Sequence, residues 1–134
     1  MEGRITGLVS HLNDNDVFVF GSNTAGRHGK GAAKQAMKWG AKYGTGNGIQ
    51  GNTYGIPTVN GNITGKLSLG KISSYVDEFI EFAKKHTELT FLVTEIGCGL
   101  AGWTVSDIAP LFKDAVEIEN IRLPHSFWKV LTKK

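Results

Sequence analysis

Two glycine-rich turns constrain this chain more than any other feature: Gly21-Ser22-Asn23-Thr24-Ala25-Gly26-Arg27-His28-Gly29-Lys30-Gly31 and Gly97-Cys98-Gly99-Leu100-Ala101-Gly102-Trp103. Each follows a short apolar run that reads as a buried strand, and each precedes a segment that reads as a helix. Glycine lets the backbone adopt positive φ and pass close to a ligand, and the free N–H groups at the start of the next helix point toward an anion. Two such turns in 134 residues predict an anionic ligand with more than one phosphate.

The elements around them alternate. Val17-Phe18-Val19-Phe20 lies between polar Asn13-Asp14-Asn15-Asp16 and Gly21 and predicts a buried strand. From Gly29 onward Ala32, Ala33, Ala36, Met37 and Gly40 share one helical face, with Gly40 or Gly44 as the stop. Tyr43 to Asn52 reads as an irregular loop, Thr53-Tyr54-Gly55-Ile56 as a strand closed by Pro57, and Val59 to Lys66 as a second loop. Ile72, Tyr75, Val76, Phe79, Ile80 and Ala83 follow the helical period, and Lys84 and Lys85 complement the dipole at its end. Thr90 to Ile96 predicts a strand leading into the second turn, with a helix capped by Ser106 or Asp107 after it. Ile121-Arg122-Leu123 reads as a last strand stopped by Pro124, and Phe127 to Leu131 as a terminal helical turn. Alternation of this kind predicts one α/β domain over residues 1–134, with helices on both faces of the sheet.

Composition removes several classes. The single Cys98 cannot form an internal disulfide, and no Cys/His spacing suggests zinc, so a reducing, cytoplasmic setting and no metal are expected. No run approaches the roughly 20 apolar residues a membrane span requires. The net charge of +3 is mildly basic. Lys30, Lys34, Lys38 and Lys42 recur every fourth residue along the first helix, but without aromatic interleaving they read as a solvated stripe rather than a nucleic-acid surface.

Gly97-Cys98-Gly99-Leu100-Ala101-Gly102 fits the dinucleotide pattern G-x-G-x-x-G. A dinucleotide fold also wants an acidic residue at the end of the next strand, and here Pro124-His125 follows it, which disfavours a nicotinamide-dependent dehydrogenase.

Both turns together resemble those of macro domains, the ADP-ribose-binding α/β/α modules. Phe18-Val19-Phe20-Gly21-Ser22-Asn23 resembles their strand and Asn-ending turn, Gly29-Lys30-Gly31-Ala32-Ala33 the opening of their next helix, and Gly99-Leu100-Ala101-Gly102-Trp103 their second phosphate loop. The likeness runs from about Asp16 to Pro124, and Tyr54-Gly55-Ile56-Pro57-Thr58 is similar to a compact branch found in bacterial and phage genomes. The resemblance implies a three-layer α/β/α sandwich with a mixed central sheet. It also implies that Asn23 contacts the distal ribose, that Gly29 and Gly31 offer backbone to ribose and phosphate, that Gly99 to Gly102 wrap the diphosphate, and that Trp103 walls the pocket. The family's adenine-reading acidic residue has Asp14 or Asp16 as its counterpart here, and Phe20 replaces the first Asn of the Asn-x-x-Asn turn used in hydrolysis of ADP-ribosyl bonds.

The candidate ligand-binding set is therefore Gly21, Ser22, Asn23, Arg27, His28, Gly29, Lys30 and Gly31 from the first turn, and Gly97, Cys98, Gly99, Leu100, Ala101, Gly102 and Trp103 from the second. Arg27, His28 and Lys30 supply charge for phosphates, and Asn23, His28 and Lys30 are the candidates for assisting catalysis. Thr94, Glu95 and Asp107 flank the second turn, and Tyr54, Pro57 and Thr58 are expected to line the pocket from the neighbouring strand. The expected function is binding of ADP-ribose or a related NAD-derived nucleotide signal, including sequestration of a host immune signal by a phage protein, with no further cofactor and with homo-oligomerisation open. The alternatives are an ADP-ribosyl hydrolase and a non-catalytic assembly protein.

Overall fold

Side chains alternate across a strand, so Val17 and Val19 enter one core while Phe18 and Phe20 enter another. That alternation makes the strand β2 (Asp16–Asn23) the middle of a sandwich with two apolar interfaces. The computed structural model describes residues 4–7, 9–26, 31–60, 65–98 and 102–132. Around β2 the chain forms β1 (Ile5–Thr6), α1 (Gly31–Ala36) extended by a 3-10 turn at Met37–Trp39, β3 (Gly48–Gln50) and β4 (Thr53–Val59). It continues with α2 (Leu69–Lys85), β5 (Thr90–Val93), α3 (Val105–Ile108) running into a 3-10 helix at Ala109–Glu117, β6 (Ile121–Pro124) and α4 (His125–Leu131).

The six strands lie in the order β1-β6-β5-β2-β4-β3, and every neighbouring pair is parallel except β3 with β4. The larger core packs α2, the second 3-10 helix and α4 on one face through Ile72, Val76, Phe79, Phe112 and Phe127. The smaller packs α1 and Trp39 on the other face against Phe18 and Phe20, with the Phe18 and Trp39 rings edge-on at 5.0 Å. The result is the three-layer α/β/α sandwich with a mixed sheet.

α2 forms where the helical period is strongest. Ser68 caps it by accepting from the Lys71 N–H at 3.1 Å, and Lys84 and Lys85 sit at its negative end. Phe79 anchors its buried face among Tyr54, Phe91 and Phe112. α1 and its 3-10 turn stop at Gly40, whose φ of 111° only glycine adopts without strain.

Several boundaries differ from the sequence expectation. Gly21, Ser22 and Asn23 belong to β2 rather than to a turn, because β4 continues past Ile56 and pairs with them. Pro57 lies within β4 instead of closing it; β3 covers only Thr53 to Gly55, so the proline sits beyond the antiparallel ladder, where a missing N–H is tolerated. β5 ends at Val93, since the Ile96 N–H folds back onto the Thr94 carbonyl at 2.8 Å. The cap of α3 is Thr104, not Ser106 or Asp107: Thr104 Oγ1 accepts from the Asp107 N–H and the Asp107 carboxylate accepts from the Thr104 N–H, a closed capping box. α4 begins at His125, two residues ahead of the expected turn. β1 and β3 were not foreseen.

Candidate functional site

Because β1, β6, β5, β2 and β4 all run the same way, their carboxyl ends share one rim. From β2 the chain crosses through α1 to β3 and β4 on one side, while β5 lies on the other. The β2/β5 boundary is thus the point where the direction of winding reverses, and open α/β sheets hold ligands in the crevice there. A cavity of about 760 Å³ occupies this place. Its walls are Phe18 of β2, Ala32 and Gln35 of α1, and the segment Val93-Thr94-Glu95. Thr6 stands beside Pro124, its partner across the β1/β6 pairing, and with Gly7, Val9, His125 and Ser126 completes the wall.

The two glycine-bearing segments meet at the same rim. A Cβ placed on Gly21 would lie 3.4 Å from the Gly97 nitrogen and from the Ile96 Cα, so β2 and the second turn touch through backbone. Beyond Gly21 the chain is held from within. Ser22 is buried, its hydroxyl donating to the Gly46 carbonyl and its own carbonyl accepting from Thr58 at 3.3 Å. Asn23 is also buried, and its Oδ1 accepts from the Ala25 N–H at 3.1 Å while its carbonyl accepts from Gly26 at 3.1 Å. Asn23 is therefore the anchor of an Asx turn in this structure. Gly26, at φ +71°, lets the turn lie against Gly44 and Thr45. Arg27, His28, Gly29 and Lys30 fall outside the described residues, and Gly31 opens α1.

The described ends of the second turn are tied together. The Trp103 N–H donates to the Gly97 carbonyl at 3.0 Å, and Gly97 and Gly102 take φ of +74° and +89°. Gly99, Leu100 and Ala101 lie outside the described residues. Trp103 Nε1 donates to the Leu67 carbonyl at 3.0 Å, and Lys66 Nζ stands 3.9 Å from the centre of its ring. The indole thus ties the second turn to the connection between β4 and α2, with a cation on its face.

Cys98 is a half-buried thiol whose Sγ donates to the Ile96 carbonyl at 3.5 Å. Burial, reinforced by the negative charges of Glu95 and Asp107, pushes its pKa up to about 11. The thiol stays protonated at neutral pH and is no nucleophile there. Iodoacetamide labelling of the folded protein at pH 8 should run about a hundredfold slower than that of an ordinary thiol and accelerate toward pH 11. Since the unfolded thiol ionises first, this group lowers stability as pH rises from about 8.5 toward 11.

Five polar residues of the cavity wall lie outside the two glycine turns and have a describable hydrogen-bonding state. Ser126 Oγ donates to Glu95 Oε2, joining the ends of β5 and β6. Thr94 Oγ1 is committed to the Val19 carbonyl at 2.8 Å, and Gln35 Nε2 to the Val9 carbonyl at 2.7 Å. Thr6 Oγ1 is buried with no hydrogen-bond partner among the described residues. Sequence reading placed Thr94 and Glu95 beside the turn without a direction, and did not single out Thr6, Gln35 or Ser126. The usable signal was position: most of the polar wall immediately follows a strand. Tyr54 and Asp107 turn elsewhere. Burial, with the negative charge of Glu78, pushes the Tyr54 hydroxyl up to about 12, and Asp107 is spent on the α3 cap, whose hydrogen bonds hold its carboxyl below the usual range.

No group of three His, Cys, Asp or Glu side chains among the described residues could hold a metal ion, and none of the described helices is long and apolar enough to cross a membrane. No protein-family model matches the chain, and no curated protein matches it either. Among solved structures the chain is similar to a protein of unknown function from Bacteroides thetaiotaomicron, with 16% identity and a TM-score of 0.60 over 86% of this chain and 88% of that one. At that identity the similarity speaks for the fold.

Proposed function

We propose that the protein is a macro-like domain that binds ADP-ribose or a related NAD-derived or nucleotide signalling ligand, sequestering or reading it. The observation that carries this reading is the backbone contact of Gly21 with Ile96 and Gly97, which brings the two glycine-bearing segments together at the strand ends, next to Val93-Thr94-Glu95 of the cavity wall, although none of the candidate glycines is among the described lining residues. A diphosphate lying over that contact has backbone on both sides, and the adjoining cavity, at about 760 Å³, is within the range of small-molecule sites. The resemblance of both turns to macro-domain phosphate loops points to the same ligand class.

Binding is favoured over hydrolysis because Glu95 is the single carboxylate among the described cavity-lining residues, and it already accepts a hydrogen bond from Ser126. General acid–base cleavage wants two groups with separated proton affinities, and His125, the one other titratable side chain in the described wall, makes no hydrogen bond with Glu95.

Isothermal titration with ADP-ribose, cyclic ADP-ribose variants and cyclic nucleotides tests the reading. One of these should bind with a Kd of about micromolar order and be recovered chemically unchanged after prolonged incubation. Silence across the panel removes the proposal, and release of free ADP-ribose from a modified substrate replaces binding with hydrolysis.

A further inference from the structure

Charge is spread unevenly along this chain and between its layers. Residues 17–76 hold one Arg and six Lys and no Asp or Glu. That stretch supplies α1 and its 3-10 turn, which form the helical layer over Phe18 and Phe20, and the connection to β3. The layer on the opposite face mixes signs as ordinary surfaces do: α2 carries Asp77, Glu78 and Glu81 beside Lys71, Lys84 and Lys85, and Glu81 pairs with Lys84 at 3.0 Å. Lys34, Lys38 and Lys42 are exposed, the first two on successive turns. Past Gly40 the Ala41 N–H returns to the Ala36 carbonyl at 3.2 Å and the Gly44 N–H reaches the Gly26 carbonyl at 2.8 Å, so residues 41–44 double back along α1. Asp14 and Asp16 bound this surface at its Trp39 end, where their carbonyls accept from Asn52 Nδ2 and the Asn52 N–H donates to the Trp39 carbonyl.

On sequence these lysines read as a solvated stripe for want of an aromatic among them. The fold supplies one. Tyr43, next to Lys42, is 65% exposed, and all three large apolar side chains exposed among the described residues, Met37, Tyr43 and Ile49, fall within residues 37–49. Trp39, by contrast, turns inward onto Phe18. Lysine is depleted at protein interfaces, whereas a basic surface beside an exposed ring is the composition of a single-strand platform. We infer that the α1 face, through Lys34, Lys38, Lys42 and Tyr43, binds single-stranded nucleic acid without sequence preference. The ammonium groups neutralise phosphates along the strand, and an unpaired base stacks on Tyr43. A duplex offers the ring no free base face. None of these four side chains lines the cavity, so this surface is independent of the ADP-ribose reading.

The test is fluorescence anisotropy of a labelled oligothymidylate of about 12 nucleotides, titrated with the full chain between about 50 and 200 mM salt. The wild type should bind with a Kd of about micromolar order at the lower salt and lose affinity steeply as salt rises. Replacing Lys34, Lys38 and Lys42 together by Gln should flatten the slope of log K against log salt by about 2, the share of three phosphate contacts on a single strand. Tyr43→Ala should weaken binding about tenfold at an unchanged slope, and Tyr43→Phe should bind like the wild type. All four side chains are exposed, so these variants keep the fold, checked by unchanged melting curves. A duplex of the same length and a polyglutamate of matched charge should each bind at least about tenfold more weakly than the single strand. Silence toward the oligonucleotide at the lowest salt, an unchanged slope in the triple variant, or wild-type binding by Tyr43→Ala overturns the inference. Equal affinity for the duplex or for polyglutamate overturns it as well, by making the face a general polyanion surface. Titration of ADP-ribose into the same proteins reports the other reading separately.

Discussion

Gly46→Ala is expected to be among the most damaging single substitutions in this protein, although it adds one methyl group to a loop. A Cβ on Gly46 would lie 1.9 Å from the Asn23 carbonyl oxygen and 3.3 Å from the Gly26 nitrogen, where only backbone can give way. On its other side the Gly46 carbonyl accepts from the Ser22 hydroxyl and would meet a Cβ on Gly55 at 2.6 Å. The segment is thus clamped between the ends of β2 and β4, and making room for a methyl lifts it from both. The loss should reach about 3 kcal/mol or more, within the class of overpacking with backbone displacement. Because Asn23 and Gly26 form the near wall of the first turn, ligand affinity should fall at least about tenfold even where the variant stays folded. Gly48→Ala is the control: its φ of +93° strains a side chain, but nothing lies within 4 Å of the added Cβ, so it should cost about 1–2 kcal/mol. Urea denaturation of the two variants separates the explanations. Equal losses would mean that dihedral strain, not close approach, makes this loop glycine-rich.

That loop also shows why part of the molecule was legible in the sequence and part was not. α2 and the buried strands announce themselves because one or two faces must be apolar, and period and burial coincide along them. β3 is three residues inside a glycine-rich stretch, and β1 is two residues; neither is long enough for a period to exist. The glycines of residues 40–52 read as loop chemistry, whereas several are there because two backbones pass within a methyl radius of each other, a property of the partner segment rather than of the local sequence. The α3 boundary was legible in principle: Thr104-x-x-Asp107 is a capping box with aspartate at the third position. The cavity was not, since Thr6, Glu95 and Ser126 are brought together by the order β1-β6-β5, and no local pattern states that the first and last strands pair. The two glycine turns were legible as motifs, but the contact of Gly21 with Gly97 follows from β2 and β5 being neighbours in the sheet, and Asn23 and Trp103 spend polar groups on internal hydrogen bonds that only the folded backbone offers.

That pairing of first and last strands carries the second large prediction. β1 has only two residues in the sheet, far too little ladder to hold a terminus by itself, and what fixes it is Arg4. The guanidinium donates to the carbonyls of Ala115 and Val116 at 3.2 Å each, of Ile118 at 2.7 Å and of Ile121 at 2.9 Å, closing the carboxyl end of the second 3-10 helix and the entry to β6. It also lies 5.4 Å from the centre of the Trp128 ring, and Trp128 Nε1 donates to the Arg4 carbonyl at 2.9 Å. Burial holds the Arg4 pKa below its ordinary value, partly countered by Glu119, yet an arginine so placed keeps its charge at every physiological pH. Arg4→Met preserves much of the stem and removes all four hydrogen bonds made by Nε and Nη2, although the Ala115 and Ile118 carbonyls keep the Ile118 and Ile121 N–H groups as partners at 3.0 and 3.1 Å. The expected cost is about 2–4 kcal/mol, from several hydrogen bonds to a charged group lost in a partly buried place. Arg4→Lys should recover only part of it, since a single ammonium cannot span carbonyls from both the helix end and β6. The consequence extends to the site: with β1 released, Thr6 and Gly7 leave the cavity wall, so ligand affinity should drop in Arg4→Met under conditions where the remainder of the sheet is intact. Amide hydrogen exchange at Leu123 and Pro124's neighbour His125, compared with Val19 in the central strand, reads this directly. Faster exchange confined to the β6 end establishes Arg4 as the strap on the first strand, and uniform acceleration across the sheet would instead make it a global stability determinant with no particular hold on β1.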